Sequence, residues 1–102
     1  MKQIVAIVKP HVAEPLIDEL TRAPIEALLV SEVRGYGRQK DYLDQYDETE
    51  YALAFLPKLE IEVWVDDSRL AEVLEVIERL ARTGRLGDGK VIVLPVAAFR
   101  AV

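Results

Sequence analysis

The chain has 102 residues, a length at which one folded domain around a single hydrophobic core is expected. Hydrophobic residues make up 51% of the chain and charged residues 30%, a balance that excludes a disordered segment. The net charge of −5 comes from 18 acidic and 13 basic residues, and the basic residues are spread along the chain, which argues against nucleic acid as a partner.

The absence of cysteine excludes disulfides, thiolate zinc sites and thiol redox switches. The first apolar run, Ile4–Val8, is too short for a signal peptide or a membrane span. We therefore expect the protein to stay in the cytoplasm, with no insertion into a membrane.

The first third of the chain predicts a strand, a helix and a second strand. Ile4–Val8 is continuously apolar and indicates the first strand. From Ala13 onward, apolar residues recur every three or four positions and predict a helix, with Pro15 expected in its first turn. Ile25–Val33 is rich in Leu and Val and predicts the second strand.

The second half of the chain predicts a strand, a helix and a strand. Apolar and polar residues alternate over Leu59–Asp66, which indicates a third strand. Asp67 or Ser68 is expected to cap a second amphipathic helix, and Val91–Leu94 predicts a fourth strand. The order βαββαβ predicts an α+β, ferredoxin-like sandwich in which two helices cover one face of an antiparallel sheet.

The other face of this sheet predicts self-association. Strands one, two and four are apolar on both sides, although two helices can cover only one face. The alternative interpretation is that a small sheet simply tolerates exposed apolar side chains there.

The connection between strands two and three, about residues 36–57, is long for a compact domain, and such connections are usually functional. All four tyrosines lie in it, interleaved with acidic residues: Tyr36, Tyr42, Tyr46 and Tyr51. Amphipathic aromatic rings suit a surface that contacts a partner. Alternatively, the segment forms a short helix that packs Tyr42, Tyr46 and Leu53 inward.

Two glycine-rich segments carry basic residues. Gly84–Lys90 has the glycine and lysine spacing of a Walker A loop, but Val91 stands where the magnesium-binding Ser or Thr is required. The segment also leaves a helix instead of opening one, so we reject a P-loop. Its backbone N–H groups, with Arg82, Arg85 and Lys90, can still form an anion-binding nest, and Gly35–Arg38 supplies a second basic turn.

A catalytic constellation is not evident in the sequence. His11 is the only histidine, and a pair of nucleophile and base would have to be assembled from Ser31 or Ser68 without support in the sequence. We therefore expect that the protein is not an enzyme.

Several separated motifs occur together and in order: Gly35–Lys40, Glu50–Tyr51, Phe55–Lys58 and Thr83–Lys90. With these motifs the chain resembles the nitrogen-regulatory PII signal-transduction family over nearly its whole length. The resemblance implies a homotrimer that binds ATP or ADP in clefts between subunits, with 2-oxoglutarate held beside Mg-ATP. It also implies that the long connection is a T-loop that binds a membrane transporter or a metabolic enzyme.

The resemblance also assigns roles to individual residues. Those expected around the nucleotide are Gly35, Gly37, Arg38, Glu62, Arg82, Gly87, Asp88, Gly89, Lys90 and Arg100. Gln39 would help to ligate magnesium, and Lys58 would pair with the carboxylates of 2-oxoglutarate. Tyr42, Tyr46 and Tyr51 would contact the partner, and the tyrosine that matches Tyr51 is nucleotidylated in some members of the family.

The chain departs from the family's pattern at three places. Asp47 and Glu48 replace a basic residue and a glycine ahead of Tyr51, Leu29 replaces a threonine that contacts adenine, and Arg100 stands alone where the family has two arginines. The alternative function is therefore that of a divergent PII-like protein. Such a protein would bind a metal ion or a small anion and regulate another system, such as heavy-metal efflux.

Overall fold

The computed structural model describes residues 1–22, 24–35, 57–82 and 89–102. Its elements in chain order are β1 (Lys2–Val8), α1 (Pro10–Leu20), β2 (Ala27–Arg34), β3 (Pro57–Val65), a 3₁₀ helix (Asp67–Arg69), α2 (Leu70–Ala81) and β4 (Lys90–Pro95). The four strands form one antiparallel sheet in the order β2-β3-β1-β4. The predicted α+β, ferredoxin-like arrangement is confirmed.

The core lies between one face of the sheet and the two helices. Alternate residues of the central strands point into it, with Ile4 and Ile61 fully buried, and the helices contribute Leu16 and Ile77, which are also fully buried. Burying each of these large side chains stabilises the fold by roughly 1.5–3 kcal/mol relative to leaving it exposed. The alternation predicted for the third strand thus places its apolar residues in the core.

Helix α1 begins earlier than the sequence predicted. It starts at Pro10, directly after the extended N-cap residue Lys9, because proline has a suitable φ for the first helical position and lacks an N–H that would be unpaired there anyway. Pro15 consequently lies inside the helix, so its predicted place in the first turn is wrong. Pro15 and His11, four residues before it, are both exposed, so water can reach this part of the helix where one backbone hydrogen bond is missing.

Helix α2 follows a 3₁₀ turn that is capped one residue earlier than predicted. The carboxylate of Asp66, not that of Asp67, accepts hydrogen bonds from the Ser68 hydroxyl at 2.6 Å and from the Ser68 backbone N–H at 3.0 Å. These bonds, the hydroxyl one above all, hold the pKa of Asp66 below its ordinary value. Ser68, the other predicted cap, donates to the true cap.

Strand boundaries differ from the predicted ones by one or two residues. Strand β2 begins at Ala27 instead of Ile25, and β4 includes Lys90 and Pro95. Strand β3 starts at Pro57, which the sequence had assigned to the preceding connection. Pro57 can occupy this position because the first residue of a strand can do without a ladder N–H.

The face of the sheet away from the helices, here called the open face, carries exposed apolar side chains. The register places Val5, Glu62 and Trp64 of the central strands on it. On the two edge strands it presents Leu29, Ile92 and Leu94, which are 57%, 45% and 42% exposed. Strands β2 and β4 therefore have apolar residues on both sides, as predicted, and self-association through this face stays a prediction.

The four tyrosines and the short helix considered for the connection lie outside the described residues. Within the described part of the chain, no helix has the length and apolar composition needed to cross a lipid bilayer.

Candidate functional site

A pocket of about 230 Å³ opens on the open face, at the end of the sheet where β2 finishes and β3 starts. Each strand contributes to it near the same end. The lining residues are Ile7, Val33, Arg34, Gly35, Lys58, Glu60 and Lys90.

The strand register explains why residues so distant in sequence meet here. Val33 pairs with Lys58, and Ile7 pairs with Glu60 on one side and Lys90 on the other. In an antiparallel sheet, directly paired residues lie on the same face about 5 Å apart. The pairing therefore brings Lys58, Glu60 and Lys90 to one end of the open face, with the apolar residues Val33 and Ile7 beside them.

The pocket carries an excess of positive charge. Among the described residues that line it, Arg34, Lys58 and Lys90 supply three cations, and Glu60 supplies one carboxylate. Arg34 and Lys90 are exposed, whereas Lys58 is only 6% exposed. Arginine and lysine residues in the lining of a partly enclosed space can supply the guanidinium and ammonium donors that bind phosphate and carboxylate groups. The pocket is therefore a candidate anion-binding site.

Glu60 contacts a neighbouring strand. The Ser31 hydroxyl donates a weak hydrogen bond to the carboxylate of Glu60 over 3.4 Å, longer than is usual for such a bond. Glu60 is partly buried in the central strand β3 and lines the pocket, so its charge belongs to the pocket.

Three of the residues that the resemblance assigned to ligand binding, Gly35, Lys58 and Lys90, meet in this pocket. Glu62 lies on the same face one row further along β3, between Leu29 and Val5, and does not line the pocket.

The structure places the other described candidates around or away from this end of the sheet. A Cβ atom on Gly89 would lie 3.5 Å from the carbonyl oxygen of Ile7 and 3.9 Å from that of Ala81. Gly89 is therefore close both to the end of α2 and to the pocket residue Ile7. Arg82 follows Ala81 directly and is exposed. Arg100 is exposed in the C-terminal segment and does not line the pocket.

The remaining predicted site residues fall outside the described residues. These are Gly37, Arg38, Gln39, Tyr42, Tyr46, Tyr51, Gly87 and Asp88. Over residues 1–22, 24–35, 57–82 and 89–102, no group of three or more His, Cys, Asp or Glu side chains is arranged to hold a metal ion.

Sequence reasoning missed two charged residues of the pocket, Arg34 and Glu60. A signal for each was present, because Arg34 immediately precedes the predicted Gly35, and Glu60 is two residues from Lys58 in an alternating strand. The register between β2 and β3 was the missing information, since a long connection does not fix it.

Comparison with known proteins agrees with the motifs. The family model described as "Nitrogen regulatory protein P-II" matches residues 1–102. The chain is 45% identical over 93 residues to the nitrogen regulatory protein P-II of Rhizobium etli, covering 91% of this chain and 83% of that protein. It is 43% identical over 96 residues to the P-II protein of Azospirillum brasilense, covering 94% and 86%. The nitrogen regulatory protein GlnK of Escherichia coli strain K12 is 41% identical over 93 residues, covering 91% and 83%. The chain belongs to the nitrogen regulatory protein P-II family.

Proposed function

We propose that this protein is a single-domain PII signal-transduction regulator, not an enzyme, that binds ATP or ADP and controls a target protein in nitrogen regulation. The observation that supports this proposal most directly is that Arg34, Lys58 and Lys90 all line one pocket in a chain of this family.

The phosphates of the nucleotide would lie at the cationic end of the pocket. Lys90 and Arg34 are exposed and can point their charged groups at an incoming anion. Gly35 and Gly89 stand beside these two cations and continue in sequence into the predicted phosphate-binding residues Gly37, Arg38, Gly87 and Asp88. Glu62, Arg82 and Arg100 would complete the cleft from the next row of the sheet, the end of α2 and the C-terminal segment.

A homotrimer would complete the site. The pocket of one subunit is smaller than the roughly 300 Å³ at which small-molecule sites usually begin, so it suits part of a nucleotide. The same open face exposes Leu29, Ile92 and Leu94, whose burial against another subunit would contribute about 1 kcal/mol each. Association through this face would therefore cover apolar surface and enclose the ligand in one step.

We propose that Lys58 binds the carboxylates of 2-oxoglutarate. Its position at the inner wall of the pocket, 6% exposed, would allow a charge-assisted bond to a carboxylate with little competition from water. Gln39 would help to hold Mg²⁺, which when bound would neutralise part of the phosphate charge and allow a second anion to approach.

The partner would bind the segment 36–57, the T-loop of the family. Its two flanking residues, Gly35 and Lys58, both line the pocket. A ligand that changes the position of these residues would change the population of partner-binding arrangements in the segment. Tyr42, Tyr46 and Tyr51 would contact a membrane transporter or a metabolic enzyme, and the complex would form in the cytoplasm.

Leu29 favours a second candidate ligand. Its side chain is 57% exposed on the open face opposite Glu62, where the resemblance implies a threonine that contacts adenine. Without that hydroxyl, the cationic pocket would be selective for a small anion instead of a nucleotide. In this second reading the chain is a divergent member that regulates another system, such as heavy-metal efflux.

Isothermal titration calorimetry of the purified protein with ATP, ADP and AMP, each with and without Mg²⁺ and 2-oxoglutarate, tests the proposal. We expect saturable binding of ATP and ADP, and tighter binding of 2-oxoglutarate in the presence of Mg-ATP. Absence of nucleotide binding together with binding of inorganic phosphate or sulfate would instead support the small-anion function.

Matched lysine variants connect the binding to the pocket. Lys58→Gln removes a pocket cation, whereas Lys2→Gln removes a cation at the opposite end of β1. We expect only the first to abolish the effect of 2-oxoglutarate. An equal response of both variants would show that the ligand binds elsewhere.

A further inference from the structure

Of the pocket-lining residues that the structure describes, one carries a negative charge, which is the wrong sign for an anion site. Glu60 lines the same space as Arg34, Lys58 and Lys90, and neither the motifs nor the proposed nucleotide site assign it a role. A carboxylate in an anion site opposes binding unless it serves another purpose.

The position of Glu60 is determined by the sheet. Strand β3 is a central strand, and Glu60 is paired with Ser31 on β2 and with Ile7 on β1. The Ser31 hydroxyl donates to its carboxylate at 3.4 Å, and the residue is only partly exposed. An acid on an exposed surface can swing into solvent when an anion arrives, whereas Glu60 is partly buried on a strand that has a neighbour on each side and has less freedom to move away.

We propose that Glu60 is a specificity-determining residue that sets the charge selectivity of the pocket, weakening the binding of highly charged anions more than that of less charged ones. This inference rests on the proposed function, because it takes the pocket to be where the phosphates bind. The repulsion between the carboxylate and a ligand grows with the number of negative charges that the ligand carries.

The size of the effect follows from Coulomb's law. We take the carboxylate and a ligand charge to be about 8 Å apart, at an effective dielectric constant between that of a protein surface and that of water. Each negative charge on the ligand then lowers its affinity for the pocket roughly threefold to tenfold. Because Glu60 is partly buried, salt screens this repulsion less than it would screen a surface pair. Anions with a bound divalent cation, whose net charge is lower, would be favoured over the same anions without metal.

The test compares Glu60→Gln with Glu75→Gln. The first variant keeps the size of the side chain and an oxygen that can accept from Ser31, and removes only the charge. The second makes the same change in net charge at an exposed position of α2, outside the pocket. Glu60→Thr, a residue suited to strands, is a second way of removing the charge if the glutamine variant does not fold.

The measurement is calorimetric titration of wild type and variants with AMP, ADP and ATP in a chelating buffer without divalent metal. We expect Glu60→Gln to bind all three more tightly, with a gain that increases from AMP to ATP and reaches about a hundredfold or more for ATP, because each of its four negative charges contributes about threefold or more. Glu75→Gln should bind as the wild type does.

The two proposals fail in different ways. If wild type binds nucleotides but Glu60→Gln shows no gain, an equal gain for all three nucleotides, or the same gain as Glu75→Gln, the role of Glu60 is refuted and the nucleotide site stands. If neither wild type nor any variant binds a nucleotide, the proposed nucleotide site is refuted and the inference with it.

Discussion

Replacing Ile92 by aspartate should prevent assembly while leaving the subunit folded. Ile92 lies on the open face of the edge strand β4, 45% exposed, and belongs to the apolar surface that a trimer would cover. The substitution puts a carboxylate where the proposed assembly would bury a hydrocarbon side chain.

The size of the effect can be worked out from this exposure. Full burial of an isoleucine is worth roughly 1.5–3 kcal/mol, so covering the exposed half contributes about 1 kcal/mol in each subunit. The carboxylate adds a desolvation penalty of several kcal/mol per ion. Three copies together destabilise a trimer by on the order of 10 kcal/mol, which would move assembly from submicromolar to beyond millimolar concentrations.

The assay is sedimentation or light scattering over a concentration series, with circular dichroism to verify folding. Val30→Asp is the matched control, because Val30 is 44% exposed on an edge strand but lies on the helix side of the sheet, opposite Ile61. We expect three times the subunit mass for wild type and for Val30→Asp, and the mass of one subunit for Ile92→Asp. Assembly by Ile92→Asp at wild-type concentrations would refute the assignment of the open face as the interface.

Four further predictions concern the ligand site and the fold. Lys90→Gln should weaken ATP binding about tenfold, as expected for loss of a charge-assisted bond, and should reduce its salt dependence in calorimetry, with Lys2→Gln unchanged. Gln39→Ala should remove the synergy between Mg-ATP and 2-oxoglutarate; if titrations still show full synergy, Gln39 does not hold the metal. The pKa of Asp66 is lowered in the fold from 3.8, so its carboxylate stabilises the protein above that pH and loses this contribution as pH falls through the lowered pKa. Asp66→Asn should therefore flatten this part of the acid-unfolding curve, and an unchanged curve would show that the cap is unimportant. Ile61→Ala should lower the free energy of unfolding by about 2–5 kcal/mol in a denaturant titration, and a loss below 1 kcal/mol would contradict its central place in the core.

The sequence predicted the fold well because hydrophobic periodicity and turn residues act locally. Alternation over β3 correctly placed Ile61 and Val65 in the core, and the order of elements was sufficient for the topology. The errors lay at helix starts, where several residues compete for the cap. At α1 the apolar pattern begins at Ala13, whereas the helix begins at Pro10, whose backbone geometry favours the first helical position. At α2 the capping residue is Asp66, one residue before the predicted Asp67.

Residues of the candidate site were predicted only where a recognisable sequence motif contains them. Lys58 and Lys90 were identified through motifs and meet in the pocket, together with Gly35. Arg34 and Glu60 were missed because their contribution depends on which residues of β2 and β3 stand opposite one another. That pairing results from packing both strands on a common core, a long-range property that no local pattern contains.

The pairing of Arg34 with Pro57 has an evolutionary consequence. Residues 36–56 connect the ends of two strands that are hydrogen-bonded to each other along their length. The length of this connection therefore does not alter the pairing of the two strands. Its sequence can diverge, lengthen or be exchanged between relatives with little effect on folding. The length and sequence of this stretch can therefore change while the pairing of β2 with β3, and with it the pocket at their ends, stays the same.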